Sequence, residues 1–240
     1  EAGIHPMLHR QFVAPIMEGR TIAGVIVESK AGREAILAKR VIDATGDADV
    51  ALRAGAPMNS TPREELQAAS VMFHMAGVDK QKFMDGIRDN PSTYGSWSSG
   101  EWQIETSGKE DDMFSPYLGK PFEQAIKDGL IPPHLNTIAG TWGAVHDSGE
   151  MTYMNLIHLA GVDGTDPDSL TEFEIEGRRQ AMLAIEALKR YTPGCEDARL
   201  RNFGMSIGIR DTRKIDAVYN MTEDDVRHEG RFEDSIGIYP

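Results

Sequence analysis

Ala44, Thr45 and Gly46 end a hydrophobic run with almost no side-chain bulk, so another molecule can approach the main chain closely at this point. Gly46 permits a sharp exit, and the helix that we predict after it points N–H groups back toward the gap. Such groups suit a polar or anionic ligand, although the carboxylates of Asp47 and Asp49 oppose a nearby phosphate. The residues alone leave two interpretations open, a ligand seat and a tight turn that serves only packing.

Two other polar residues have side chains suited to catalysis. His146 stands next to Asp147 in a predicted turn, where a carboxylate can orient the imidazole as a general acid or base. The alternative is a solvated hairpin turn. Asn155 lies between apolar residues of a predicted strand, so its amide needs either a buried hydrogen-bond partner or a ligand.

Histidines and tryptophans offer further binding chemistry. His74 and His158 end two similar strands, and a metal site would need both to converge with a third ligand. Polar strand ends explain them more simply, so we predict no metal. Trp97, Trp102 and Trp142 have the rings to stack on a sugar-like or aromatic substrate, or to pin a long loop to the core.

Predicted strands and one long helix position these residues. Alternating and β-branched runs with Gly-containing turns predict a β-meander over 12–17, 21–29 and 34–45. Further strands are expected over 67–76, 137–145 and 151–159, with a hairpin turn at 146–150. An apolar stripe with a capping box at Thr171 predicts a helix over 171–189. The run 203–209 is expected to be a buried strand or helix.

Shorter helices and one long loop complete the prediction. Asp47 or Asp49 is expected to cap a short helix that ends near Gly55, and further short helices are expected over 120–129 and after Thr222. The polar, Gly- and Ser-rich run 90–112 is expected to be an excursion over the surface or over a site.

Composition limits the partners of the protein. The 240 residues carry 38 acidic and 25 basic side chains, a net charge of −13, which argues against nucleic acid as a partner. No apolar run approaches membrane-spanning length, and a single cysteine excludes an internal disulfide. We expect a soluble, cytoplasmic protein with a small-molecule substrate, no membrane association, and a possible homo-oligomer or redox partner protein.

Four stretches of the chain, taken in order, identify a family. They cover 40–57 around Ala44-Thr45-Gly46, then 155–167, 170–180 and 207–226. Together they resemble FAD-dependent oxidoreductases related to the flavoprotein component of heterodisulfide reductase, within the glutathione-reductase-like flavoproteins. The resemblance implies an α/β fold, namely part of a glutathione-reductase-like FAD-binding fold with the β-meander and an inserted α+β substrate domain. Residues 1–57 and 192–240 would belong to the FAD-binding domain and residues 58–191 to the substrate domain.

The same resemblance implies a cofactor and its neighbours. The cofactor is FAD, bound without a covalent link, and Ala44, Thr45, Gly46 and Asp47 would lie beside the dinucleotide. Arg210 and Arg213 fall in a family motif. A guanidinium near the flavin can stabilise negative charge on the reduced ring or bind a substrate carboxylate. The alternative is that these arginines form ion pairs with Asp211 or another acid.

With His146 and Asn155, these two arginines form the predicted catalytic set. The family opens on a GxGxxG motif that these residues lack, so we expect an internal part of a longer protein that is inactive alone. The implied function is transfer of hydride or electrons between FAD and a small organic substrate. The alternative is a non-catalytic module of the same fold that binds carbohydrate or protein.

Overall fold

The computed structural model of the protein describes residues 3–89, 118–235 and 237. The chain forms two compact units. Unit 1 consists of Glu1–Thr61 and Arg213–Pro240, and unit 2 consists of Pro62–Thr212. Their assignment to an FAD-binding domain and a substrate domain, with the boundaries expected after residues 57 and 191, stays a prediction.

The first three strands of unit 1 form an antiparallel meander, as predicted. They are β1 (Gln11–Glu18), β2 (Thr21–Ser29) and β3 (Gly32–Leu37), in this order across the sheet. The connecting turns contain glycines with positive φ, 61° at Gly19 and 108° at Gly32. Because residues with a side chain rarely adopt such angles, the two glycines let the chain reverse within a few residues.

The predicted continuation of the third strand to residue 45 is wrong. β3 ends at Leu37, and the N–H of Ala38 donates to the carbonyl oxygen of Ala23 at 3.0 Å as the pairing with β2 ends. Farther along, the side chain of Asp43 accepts hydrogen bonds from nearby N–H groups. Such side-chain bonds compete with a strand ladder, so the run 41–45 folds as a loop.

A short helix, a two-stranded sheet and a terminal helix follow in the described part of unit 1. These are α1 (Asp49–Arg53), the antiparallel pair β4 (Met58–Ser60) and β9 (Arg213–Ile215), and α5 (Glu223–Arg227). The predicted start of α5 is confirmed. The hydroxyl of Thr222 accepts the N–H of Asp225 at 3.2 Å, and the Asp225 carboxylate accepts the N–H of Thr222 at 2.7 Å.

Unit 2 is built on a four-stranded antiparallel sheet. Its strands, in spatial order, are β6 (Ala144–Val145), β7 (Met151–Met154), β5 (Phe73–Ala76) and β8 (Arg199–Phe203). β6 and β7 form the predicted hairpin, in which the N–H of His146 donates to the carbonyl oxygen of Glu150 at 2.8 Å.

Several predicted strands of unit 2 are shorter than expected. Outside the four regular strands, Ala69, Ser70, Thr141 and Asn155 make isolated bridges to neighbouring chain segments. Tyr153 lies within β7 with a left-handed φ of 52°, at an irregularity in the pairing of β7 with β5. The run 203–209, predicted as a buried strand or helix, leaves β8 after Phe203 and continues without regular structure.

Among the described residues of unit 2, three α-helices accompany this sheet, α2 (Lys80–Asp89), α3 (Lys120–Lys127) and α4 (Pro167–Tyr191). The α3 prediction is confirmed. Helix α4 begins four residues before the expected start, because the Asp166 side chain accepts the N–H of Asp168 at 3.1 Å and Pro167 fits the first turn. The predicted loop at 90–112, with Trp97 and Trp102, lies outside the described residues.

The core of unit 2 lies on one face of the sheet. Along residues 69–76 the side chains alternate, and the fully buried ones include Phe73 and Met75. Helix α4 contributes small buried residues and approaches closely: a Cβ added at Gly177 would lie 2.4 Å from Val71 Cγ2. The other face of the strand carries Ser70, Met72, His74 and Ala76, each half-buried.

Candidate functional site

The predicted cofactor residues lie in a loop that Asp43 holds together. Its carboxylate accepts the N–H of Thr45 at 3.1 Å, the hydroxyl of Thr45 at 2.7 Å and the N–H of Ala51 at 2.9 Å. The Thr45 oxygen in turn accepts the N–H of Asp49 at 2.9 Å. The loop and the first turn of α1 therefore form one hydrogen-bonded unit.

These bonds correct the expected helix cap. Ala48, with φ 55°, is the N-cap of α1, and neither Asp47 nor Asp49 caps it. Asp43 and Thr45 instead bind N–H groups of the first turn. The N–H groups that were expected to point at a ligand are therefore used within the loop.

The hydrogen bonds of the loop change the pKa of Asp43. Burial alone would raise the pKa of its carboxyl group, but hydrogen bonds from Ala51, Thr45 and Val50 outweigh it and lower the pKa. Hydrogen bonds to the charged form have this effect because they are lost when the group takes up a proton.

The main chain at Gly46 is open on the side where a side chain would stand. Ala44, Thr45 and Gly46 are exposed, and a Cβ added at Gly46 would meet no atom within 4 Å. With φ at 91°, this position favours glycine for its backbone alone. The loop thus combines a rigid hydrogen-bonded interior with a bare outer edge, which fits a flat group lying against the main chain.

Arg213, predicted as catalytic, meets this loop. Its Nε donates to the carbonyl oxygen of Asp47 at 3.1 Å, and its Nη2 lies 2.6 Å from the carboxylate of Asp49. These contacts join residues more than 160 positions apart in the sequence. The structure therefore brings Arg213 together with the predicted cofactor residues, as a guanidinium that supports the loop.

The remaining predicted catalytic residues lie in unit 2. Arg210 is exposed, with no hydrogen bond or ion pair to residues 3–89 or 118–235. His146 is exposed in the hairpin turn, and Asp147 pairs with Lys80 at 2.9 Å, which lowers the pKa of the Asp147 carboxyl. The Asp147 carboxylate thus has Lys80 as an ion-pair partner, and the orientation of His146 by Asp147 stays a prediction.

Asn155 has the partner that an amide on a mostly buried strand requires. Its Oδ1 accepts the hydroxyl of Ser70 at 2.9 Å, and its main chain bridges Thr141 in both directions. Its Nδ2 has no hydrogen-bond partner within the residues that the structure describes.

The structure reveals a pair that the sequence analysis did not single out together, His74 and Tyr153. Their rings lie 5.4 Å apart between centroids and tilt by 57°. The alternation along 69–76 could have placed His74 on the outer face, but nothing local in the sequence signals the left-handed backbone of Tyr153.

His158 and Trp142 have structural partners. His158 Nε2 lies 3.0 Å from the carbonyl oxygen of Ala139. Trp142 is buried and packs edge-on against Phe83, with centroids 5.3 Å apart, so it belongs to the core and not to a stacking surface. Among the described residues, no group of three or more His, Cys, Asp or Glu is placed to hold a metal ion.

Comparison with known proteins identifies the family. The sequence profile described as FAD dependent oxidoreductase matches residues 1–240. No curated protein and no solved structure matched the chain. Over the ranges given above, no helix is both long and apolar enough to cross a membrane. Since the match covers the whole sequence, the chain belongs to the FAD dependent oxidoreductase family.

Proposed function

We propose that this chain forms part of an oxidoreductase that transfers hydride or electrons between bound FAD and a small organic substrate. The observation that carries the proposal is the family match over all 240 residues. FAD is the cofactor of the family, and when bound it supplies the redox chemistry, while the protein sets orientation and local charge. We further propose that unit 1 belongs to a glutathione-reductase-like FAD-binding fold.

The loop 43–49 is the proposed contact with the cofactor. Its bare edge at Ala44 and Gly46 accepts a flat nucleotide against the main chain, and Asp43 keeps that edge in one conformation. Arg213 supports the loop and also pairs with Asp49, whose negative charge would otherwise repel an anionic cofactor.

Two residues of unit 2 are proposed for the substrate. The exposed guanidinium of Arg210 can bind a carboxylate or stabilise negative charge. Asn155 can donate a hydrogen bond from its Nδ2 while Ser70 holds its oxygen. His146 is proposed as an acid or base with weaker geometric support, because the neighbouring Asp147 carboxylate is shared with Lys80 at 2.9 Å.

The test is the substitution Gly46→Val in the full-length protein. A Val side chain would occupy the open edge of the loop, and we expect loss of flavin absorbance after reconstitution with FAD. Gly129→Val is the matched control, because Gly129 also has a positive φ, 76°, and open space around its Cβ position. Both variants suffer a similar backbone strain of about 1–2 kcal/mol.

The two variants separate cofactor binding from stability. We expect normal flavin content per folded molecule in Gly129→Val and a strong reduction in Gly46→Val. Equal flavin content in both would refute the contact at Gly46. A wild-type full-length protein that shows no flavin spectrum after reconstitution would refute the proposed function itself.

A further inference from the structure

The chain that follows β8 forms a short protrusion from unit 2. The N–H of Gly204 donates to the carbonyl oxygen of Met72 at 2.8 Å, and the N–H of Gly208 donates to that of Ser70 at 2.8 Å. Four positions separate Gly204 from Gly208, but only two separate Ser70 from Met72. The two extra residues, 205 and 206, therefore cannot pair with this neighbouring segment and form an exposed bend.

Helix α4 also holds the base of this protrusion. The N–H of Ile207 donates to the carboxylate of Glu174 at 2.5 Å, and the guanidinium carbon of Arg178 lies 4.8 Å from the centroid of the Phe203 ring. Glu174 and Arg178 pair with each other. These contacts use the main chain of Ile207 and the ring of Phe203, so none of them depends on the side chain of Met205.

Met205 lies at the tip of the protrusion with its thioether in water. The residue is completely exposed, at 101%, whereas Met221, the next most exposed methionine of the described residues, reaches 68%. Met75, Met151 and Met154 are fully buried in the core of unit 2. Because oxidation of a methionine requires that the oxidant reach its sulfur, these differences in exposure predict an order of reactivity.

We propose that Met205 is a surface oxidation site, the first of the described methionines that hydrogen peroxide converts to the sulfoxide, and that the fold stays intact. In this reaction a sulfur lone pair attacks one peroxide oxygen and the O–O bond breaks. The second oxygen takes up the proton of the first and leaves as water. The sulfur loses two electrons, and the peroxide is reduced by the same two.

The position of Met205 makes its oxidation compatible with the native fold. A sulfoxide is more polar than a thioether, and it disrupts a hydrophobic core when it forms there. Met205 has no packing to lose, and the hydrogen bonds at the base of the protrusion come from Gly204, Ile207 and Gly208. The modification is also reversible, since reductases convert methionine sulfoxide back to methionine. This inference rests on exposure and does not depend on the proposed function.

The experiment treats the full-length protein with dilute hydrogen peroxide and measures sulfoxide at each methionine by peptide mass spectrometry. We expect Met205 to react about twofold faster than Met182, which is 43% exposed, in proportion to the exposed area. Met75 should react at least about tenfold more slowly than Met205, because its oxidation requires prior opening of the core. The midpoint of urea unfolding should be unchanged at the stage when only Met205 is oxidised.

Two controls show whether the structure sets this order. Met205→Leu should remove the fastest phase of sulfoxide formation, whereas Met182→Leu, the matched control at an exposed methionine of α4, should leave the rate at Met205 unchanged. In concentrated urea, where the structure is lost, all methionines should react at similar rates. The inference is overturned if Met205 reacts no faster than Met182 in the native protein, if the same order persists in urea, or if oxidation of Met205 lowers the unfolding midpoint.

Discussion

Replacement of Asp43 by alanine tests whether one side chain holds the loop beside Gly46. Its carboxylate accepts the N–H groups of Thr45 and Ala51 and the Thr45 hydroxyl. Loss of an acceptor that caps a helix N–H costs about 0.5–2 kcal/mol. The Thr45 bonds add about 0.5–1.5 kcal/mol, although water replaces part of them in this half-exposed loop. We expect local opening to become easier by about 1–2 kcal/mol in Asp43→Ala.

Hydrogen exchange at the Ala51 amide measures this opening directly. A change of 1–2 kcal/mol corresponds to a roughly 5- to 30-fold loss of protection. Asp216→Ala in the same unit is the control, because Asp216 is exposed and its side chain accepts no hydrogen bond among the described residues. Unchanged protection in Asp43→Ala, or an equal loss in Asp216→Ala, would show that the carboxylate does not hold the loop.

The same carboxylate predicts a pH dependence. Burial of Asp43 opposes its ionisation, yet the hydrogen bonds lower its pKa in the folded state below the ordinary value of 3.8. Its stabilising contribution is therefore fully present above that ordinary pKa and is lost as the pH falls through the lower folded-state value. Protection of Ala51, corrected for the intrinsic exchange rate, should fall in acid for wild type and lose this acid dependence in Asp43→Ala.

Three further predictions concern the core of unit 2. Gly177→Ala should lower the free energy of unfolding in urea by about 1–3 kcal/mol, because the new Cβ would lie 2.4 Å from Val71 Cγ2 and overpack the core. Val71→Ala in the same chain should relieve part of that cost, whereas additive effects of the two substitutions would contradict the overpacking. Cys195 is buried, and burial raises the pKa of its thiol to about 12. A thiol reagent should therefore label Cys195 only after unfolding, and rapid labelling of the native protein would contradict its burial. Glu174→Ala should lower the free energy of unfolding in urea by about 1–3 kcal/mol, because the N–H of Ile207, which donates to Glu174 at 2.5 Å, would lose its acceptor. Glu223→Ala, which removes an exposed ion pair within a helix, is the control, and an equally small cost in both variants would contradict the role of this bond.

Several features of this protein followed from the sequence because they depend on neighbours along the chain. The meander turns at Gly19 and Gly32 and the capping box at Thr222 are local, and the structure contains each of them. The same holds for most of α4, where the apolar stripe repeats every three to four residues. Family membership also followed, since the motifs that carry it are short stretches read directly from the chain.

Local patterns failed where a side chain or distant segment competed with them. The apolar run 34–45 resembles one strand, but β3 ends at Leu37, and farther along the Asp43 carboxylate binds the N–H groups of Thr45 and Ala51 within a loop. Similarly, the pattern around His146 gave no sign that Lys80, which lies 67 positions away in the chain, would pair with Asp147.

Only the tertiary structure decided which candidate residues meet. Arg213 reaches Asp49 across 164 positions, and Ser70 reaches Asn155 across 85, so neither pair can be inferred from spacing along the chain. The contact of His74 with Tyr153 depends in addition on a left-handed backbone angle at Tyr153 and on the absence of a side chain at Gly143, just before β6. Residue types and short-range periodicity determine the helices, the turns and the functional groups that the side chains offer. Contacts between distant segments form only once the chain has packed, because their free energy comes from the fold as a whole.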